Sequence, residues 1–375
     1  MITQIKKSRL PRLKEVRVAA AMSGGVDSSV AAALLQKQGY KVIGLTMQLW
    51  PREAAAGPET SCCGIGAIED AKRVAAKLGI SHYVINCRVL FEQKVIQDFC
   101  HNYESGLTPN PCIKCNELVK FDYLLHQARK LGATYLATGH YAKIQRNNNK
   151  KKYALIKAKD PKKDQSYFLY TLTQDQLKHI LFPLGNYTKA QVRSIAQKTG
   201  LPTAHRPESQ EICFIPDNDY RRFLKERIGR KIKKGPITDI KGKRLGIHQG
   251  LPYYTIGQRK GLGIAAAQPL YVKEINRKKN ILVVAPEADI YQDKLIANKI
   301  IFTNVSKLTG DVKARAKIRS AHKAAACTIS PLGRGRVKVK FSYGQWAITP
   351  GQAIVFYKGN KIIGGGTILK AVASR

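Results

Sequence analysis

Apolar positions recur with two different periods along this chain, and the switch between them marks its elements. Val16–Met22, Lys41–Leu49, His82–Cys87 and Thr134–Thr138 read as strands. Between them Val26–Gln38, Gly66–Leu78, Leu90–Tyr103 and Asn116–Leu131 carry the helical repeat. In the second of these helices Ile68, Ala71, Val74, Ala75 and Leu78 share one face. Strand alternating with helix predicts a mostly parallel sheet covered on both faces. Gln174–Leu181 and Lys189–Lys198 also read as helices, the second opened by a Thr188–Gln191 capping box. Their connection resembles a helix-turn-helix. Beyond Tyr220, Gly and Pro punctuate short runs at Tyr253–Ile256, Leu270–Ile275, Ile281–Ala285, Arg336–Ser342 and Ala353–Tyr357. Such spacing predicts a small β domain followed by a β-barrel. The expected division is 1–219, 220–292 and 293–375.

At 375 residues the chain is too long for one typical domain. No apolar run approaches a membrane span, and the basic start, Met1–Arg17, lacks the apolar core of a signal peptide. Eight cysteines without such a signal favour a reducing compartment. The expectation is a cytoplasmic protein with no membrane partner. Charge changes the picture more: 65 Lys and Arg against 25 Asp and Glu give +40. The excess runs through folded-looking sequence, with eleven basic and two acidic residues in Arg221–Arg244, so nucleic acid is the natural partner.

Two segments carry candidate chemistry. Residues 23–29 read SGGVDSS between the first strand and first helix. The glycines let the backbone approach a ligand closely, and the open N–H groups at the helix start favour an anion. Asp27 is placed to hold a metal ion against phosphate oxygens. The run is neither a Walker loop nor a dinucleotide fingerprint. It resembles the pyrophosphate loop of enzymes that cleave ATP between its α- and β-phosphates. The second segment, Thr108–Asn116 (TPNPCIKCN), places Cys112 and Cys115 two residues apart in a Pro-braced loop ahead of a helix beginning near Asn116. A thiol at a helix start gains thiolate character. A third cysteine, Cys213, lies in EICFIP. Cys62 and Cys63 could join Cys112 and Cys115 at a zinc site, although no second C-x-x-C or nearby His pair supports one; Cys87 and Cys100 read as core fillers, and Cys327 belongs to the barrel.

Taken in order, SGGVDSS, TPNPCIKCN, ATGHYAK, KDQSYFLY, EICFIP, HQGLPYYTIGQRKGLGI and ITPGQAIVFY resemble the bacterial tRNA-specific 2-thiouridylases from Val16 to the C-terminus. The resemblance implies an α/β fold. Its N-terminal pyrophosphate-loop domain would be of the adenine nucleotide α-hydrolase kind, with a parallel sheet. A central β-rich domain and a C-terminal β-barrel would follow. It implies ATP with Mg²⁺, adenylation of the C2 oxygen of a tRNA wobble uridine, and displacement of AMP by sulfur. Asp27, Cys115 and Cys213 take the catalytic positions. Cys213 matches the persulfide carrier, and Cys115 the partner that frees the sulfur and leaves a Cys115–Cys213 disulfide.

Ala21, Met22, Ser23, Gly24, Gly25, Val26, Asp27, Ser28, Met47 and Gly139 match the ATP contacts. Asn110, Pro111 and Cys112 match the segment facing the target base. His140, Lys163, Asp164, Gln165, Arg319, Ser320 and Gln352 match tRNA-contacting positions. The implied partners are tRNA, a persulfide-relay donor protein and an external reductant. Many family members have Asp where this chain has Cys112. That departure opens a second route, a [4Fe–4S] cluster on Cys112, Cys115 and Cys213. Outside the family, the alternatives are another pyrophosphate-loop ligase with a small substrate, or a basic RNA-binding protein without activity.

Overall fold

A computed structural model of the chain describes residues 15–49, 65–147, 152–207, 212–303 and 308–372. Its first half is a five-stranded parallel sheet. Strand β1 (Arg17–Ala21) is followed by helix α1 (Val26–Lys37), β2 (Lys41–Gln48), α2 (Ile65–Leu78) and β3 (His82–Asn86). Ala71, Val74 and Ala75 of α2 are buried, the stripe that the helical repeat predicts. A long helix comes next: α3 (Arg88–Phe91), a π-helical stretch Glu92–Ile96, and α4 (Gln97–Glu104).

The following helix begins earlier than the sequence suggests. It runs from α5 (Pro111–Lys114) through a π-helical stretch Cys115–Leu124 into α6 (Leu125–Lys130). Asn110 is its N-cap, its side-chain oxygen accepting from Ile113 N at 3.3 Å, and Pro111 occupies the first turn. That pairing of capping residue and N-terminal proline starts a helix. Cys112 therefore sits in the first turn and Cys115 at the opening of the π-helical stretch, rather than in a loop.

After β4 (Tyr135–Ala137) the chain makes a hairpin that periodicity alone does not reveal, β5 (Ala142–Asn147) and β6 (Lys152–Lys157). Only Gln174–Lys178 of the next expected helix is helical (α7); Ile180–Leu181 is a strand, β7, paired in parallel with Leu136 and Ala137. Burial of the Ile180 side chain in the sheet's core outweighs local propensity. A strand thus separates α7 from α8 (Lys189–Lys198), which removes the helix-turn-helix reading. Sheet order is β3-β2-β1-β4-β7, so the chain reverses direction across the sheet between β1 and β4. Parallel sheets bind ligands at the carboxyl edge of such a switch point.

Helix α9 (Tyr220–Ile228), capped by Asp219, leads to a four-stranded sheet: β8 (Gly235–Thr238), β9 (Arg244–His248), β10 (Tyr271–Asn276) and β11 (Ile281–Ala285), in the order β10-β11-β8-β9. Tyr253–Ile256 is not a strand. Gly250 and Pro252 wind Leu251–Tyr253 into a 3₁₀ turn that drops Tyr254 and Ile256 into this sheet's core. The last unit is an antiparallel barrel of β12 (Tyr291–Phe302), β13 (Val312–Lys317), β14 (Ala325–Pro331), β15 (Val337–Trp346), β16 (Ala353–Lys358) and β17 (Lys361–Val372). It closes where β12 pairs with β17. The barrel packs on the first domain through β16, whose Ala353, Val355 and Tyr357 share a core with Leu124, Leu136 and Tyr167. Lys361 of β17 also pairs with Ile156 of β6. No helix among the described residues is long and apolar enough to cross a membrane.

Candidate functional site

The loop after β1 is held by contacts that leave little freedom. Ser23 N donates to Ser28 Oγ at 3.1 Å, while Ser28 Oγ and Ser29 Oγ each donate to the Gly25 carbonyl, at 3.0 and 2.9 Å. Thr203 Oγ1 in turn donates to Ser29 Oγ at 3.0 Å. Gly24 has φ +67°, and a Cβ there would lie 2.4 Å from the Ala67 carbonyl oxygen. Gly139, just past β4, is equally constrained: a Cβ would lie 2.8 Å from both Asp27 C and Ser28 N. Glycine at both places lets α2 and the β4 loop close on the N-terminus of α1. No side chain caps that helix start, so its N–H groups remain a favourable anion position. Ala21 ends β1 and Met22 follows it, with Met22 N bonded to the Leu45 carbonyl at 2.7 Å, and Val26 is buried. Met47 lies at the carboxyl end of β2.

Asp27 does not stand alone. Lys189 Nζ, from the first turn of α8, donates to both its carboxylate oxygens at 2.8 Å, and Tyr141 OH donates to Oδ1 at 2.8 Å. The Lys189 side chain is 11% exposed and that of Asp27 32%. Arg206 donates to the Gly24 carbonyl at 3.3 Å and pairs with Asp70 of α2. Sequence pattern singles out none of Lys189, Tyr141, Thr203 or Arg206. The one hint is that Lys189 follows the Thr188 cap.

The cysteines gather beside this loop. Cys115 is 8% exposed and shares an apolar cluster with Leu49, Cys87, Val119, Phe214 and Phe223, against which Cys213 and Met47 pack. Because Leu49 and Cys87 directly follow β2 and β3, the cluster caps the carboxyl edge of the sheet, the edge that also carries residues 23–29. Burial, with the Cys115 thiol nearby, pushes the Cys87 thiol up to about 12, and burial pushes Cys100 to about 11. Both stay protonated near neutrality, as core residues. Cys112, in contrast, is exposed. Among the described residues no three His, Cys, Asp or Glu side chains converge as a metal-holding group. The three cysteines therefore do not fit a cluster in this arrangement. Cys62 and Cys63 lie outside the described residues, as do 208–211 next to Cys213.

The remaining candidates are tied into the frame. His140 Nδ1 lies 2.7 Å from Thr138 Oγ1, its ring against the Phe121 and Phe182 pair; burial holds the imidazole well below its ordinary range, so it is neutral. Asp164 accepts from Ala158 N and from Ser166 N and Oγ, folding the loop in which half-buried Lys163 sits. Gln165 Oε1 accepts from Tyr141 N at 2.9 Å. From the barrel, Gln352 Nε2 donates to the carbonyls of Thr108 and Pro109 at 3.0 and 3.2 Å, so the barrel braces the segment leading to Asn110, Pro111 and Cys112. Arg319 lies farther away. Its guanidinium donates to the carbonyls of Ile256 and Ala347 and to Thr349 Oγ1, joining the central sheet to the barrel, while Ser320 beside it is exposed.

Comparison with known proteins agrees with these three units. Residues 16–217 match the model of the tRNA methyl transferase HUP domain, 221–286 that of the tRNA methyl transferase PRC-barrel domain, and 292–368 that of the aminomethyltransferase beta-barrel domain. The chain is 53% identical over 356 residues to the tRNA-specific 2-thiouridylase MnmA of Carboxydothermus hydrogenoformans, covering 94% of this chain and 98% of that protein. It is 51% identical over 361 residues to the protein of the same name from Desulforamulus reducens, covering 96% and 98%. Among solved structures, a 4-thiouridine synthetase–RNA complex with bound ATP aligns over 58% of this chain and 51% of that one, at 14% identity and TM-score 0.32, a likeness too distant to bear on function. Half-identity over nearly the full length of both relatives is decisive: the chain belongs to the tRNA-specific 2-thiouridylase family.

Proposed function

We propose that this protein uses ATP to replace the C2 oxygen of a tRNA wobble uridine with sulfur. One observation carries the reading. The phosphate-type loop after β1 and the cluster holding Cys115 and Cys213 lie at the same carboxyl edge of one parallel sheet.

Uridine O2 is a very poor leaving group. Attack by O2 on the α-phosphorus expels pyrophosphate and turns that oxygen into a phosphoester, which sulfur then displaces as AMP. The N–H groups of residues 23–28 would face the pyrophosphate. Ala21, Met22, Met47 and Gly139 would line the nucleotide's side of the same edge. Mg²⁺, which is commonly held by one or two carboxylates together with substrate phosphates, would take Asp27 as its protein ligand and offset phosphate charge. Lys189 already supplies that carboxylate with a cation, so it is the natural counter-ion of the nucleotide-free site.

Cys213 is the proposed persulfide carrier, loaded by a donor protein. Cys115 thiolate attacks Cys213 Sγ, breaking the bond to the terminal sulfur. Hydrosulfide leaves to attack C2, and the resulting Cys115–Cys213 disulfide takes two electrons from an external reductant. Asn110, Pro111 and Cys112 would face the base. Neutral His140, Lys163, Asp164, Gln165, Arg319, Ser320 and Gln352 would shape and brace the tRNA surface. The units are assigned to 1–219, 220–292 and 293–375.

The test is mass spectrometry of tRNA nucleosides after reaction with ATP and a persulfide donor. Wild type should yield 2-thiouridine, whereas Cys115→Ser, Cys213→Ser and Asp27→Ala should not. Thiolation by Asp27→Ala at the wild-type rate would overturn the reading.

A further inference from the structure

The wall of the barrel farthest from the sheet carries lysines that the reaction does not use. In the closed ring β12-β15-β14-β13-β16-β17, β15 lies across from β16 and β14 across from β17. Because β16 packs on the first domain and β17 joins β6, β15 and β14 face away from it. Along β15, Val337, Val339 and Phe341 enter the barrel core while Lys338, Lys340 and Ser342 are exposed.

Strand register sets these lysines side by side. Lys313 pairs with Thr328, Thr328 with Lys340, and Lys340 with Lys294, one row across four strands. The adjacent row is Ser330, Lys338, Ile296 and Lys370. Tyr343 and Tyr291, 58% and 48% exposed, stand at the end of the wall. From Leu308 to Val372 the chain has twelve Lys and Arg and one acidic residue, Asp311. Asp293, in the bulge beside Lys294, is the other acidic residue of the barrel.

Folding gives no reason to set Lys294 opposite Lys340, since like charges directly opposite on neighbouring strands destabilise a sheet. A polyanion removes that repulsion and gains from counterion release. Lysine is a point charge on a flexible stem, suited to phosphates rather than to base edges. The hydroxyls of Thr328 and Ser330 can donate to phosphate oxygens, and exposed tyrosines offer stacking faces to unpaired bases.

We propose that this wall, centred on Lys294, Lys313, Lys338 and Lys340, is a second RNA-binding surface that holds a phosphate backbone away from the catalytic sheet. The choice of RNA among polyanions rests on the tRNA-substrate reading; the surface itself does not.

The test is binding of a labelled, unmodified tRNA transcript across a salt series, comparing wild type with the combined Lys294→Gln, Lys313→Gln, Lys338→Gln and Lys340→Gln variant. The slope of log K against log salt should fall by roughly 0.7–0.9 for each phosphate no longer neutralised, about 3 in all, with affinity lower by on the order of a hundredfold at about 0.15 M salt. KM for tRNA should rise while kcat holds. Thermal stability at low salt should be unchanged or higher, and Lys340→Glu alone supplies the comparison should the combined variant fail to fold. An unchanged slope overturns the proposal. So does loss of binding to phosphatidylserine vesicles with the RNA slope intact, which would make the wall a membrane contact. Should wild type bind tRNA through these lysines yet fail to thiolate it, the surface stands and the proposed reaction falls.

Discussion

Removing the ammonium of Lys189 probes the centre of the site. In Lys189→Met, Tyr141 still donates to Asp27, but the carboxylate loses two charge-assisted bonds of 2.8 Å. Deleting one partner of a fully buried pair costs about 3–5 kcal/mol, and of an exposed pair at most about 1 kcal/mol. With Lys189 nearly covered and Asp27 a third exposed, the cost should be about 2 kcal/mol. For a domain of this size the melting temperature should drop by about 4–8 °C. Calorimetry on wild type, Lys189→Met, Asp27→Asn and the double variant measures the coupling directly. The double variant should be more stable than the sum of its parts implies, by about 1–2 kcal/mol, because no unpaired charge remains. Magnesium should raise the melting temperature of Lys189→Met more than that of wild type, since the variant offers it a carboxylate without a competing ammonium. Strictly additive losses, or a Lys189→Met melting point within about 1 °C of wild type, would refute the ion-pair account.

Cys112→Ser should keep 2-thiouridine formation within about tenfold of wild type, because the exposed thiol is outside the proposed relay; abolition alongside loss of bound iron would reverse that assignment. Gly24→Ala forces a Cβ against the Ala67 carbonyl at positive φ, so calorimetric ATP affinity should fall by on the order of tenfold or more, and an unaltered affinity would contradict the loop geometry. Arg319→Met leaves the Ile256 carbonyl without its donor at the joint of barrel and central sheet, while the Ala347 carbonyl keeps only the Thr349 hydroxyl. It should cost about 2 kcal/mol, readable as increased proteolysis within residues 250–260, with resistance unchanged if the joint is held otherwise. Acid should act through His140. Its folded pKa is depressed by burial, so its contribution is complete above the unfolded value near about 6.5 and is lost as pH falls below it. The melting temperature should therefore decline from about pH 7 to about pH 5 less steeply in His140→Gln than in wild type. His82, His248 and His322, shifted the same way, should keep some slope; superimposable profiles would show that His140 is not buried neutral.

Legibility in the sequence follows the range of the interactions. The sheet of the first domain is readable because each strand and helix advertises itself within a dozen residues, and residues 23–29 concentrate a turn, a helix start and a carboxylate in one stretch. The helix start at Pro111 is also local information, since Asn110 and Pro111 are a cap and a first-turn proline; two cysteines in the same stretch draw it into the loop. Strand β7 is not readable, because Ile180 and Leu181 become a strand only when β4 offers them an edge. Lys189 is not readable for the same reason: 162 residues separate it from Asp27, and its helix repeat alone marks it as an ordinary first-turn residue. Gln352 reaches across 244 residues to Thr108. What sequence pattern supplies are the groups that do chemistry, because their types are rare and their spacing is tight. What it cannot supply are the cation, the hydroxyl and the amide that hold those groups still, since such residues are common and acquire a function only from where the fold delivers them. A site built this way is more vulnerable at its supports than its motifs suggest. Lys189 and Tyr141 carry no signature and Gln352 enters only through the family resemblance, yet the first two hold the Asp27 carboxylate in place and the third braces the segment on which Cys112 and Cys115 begin.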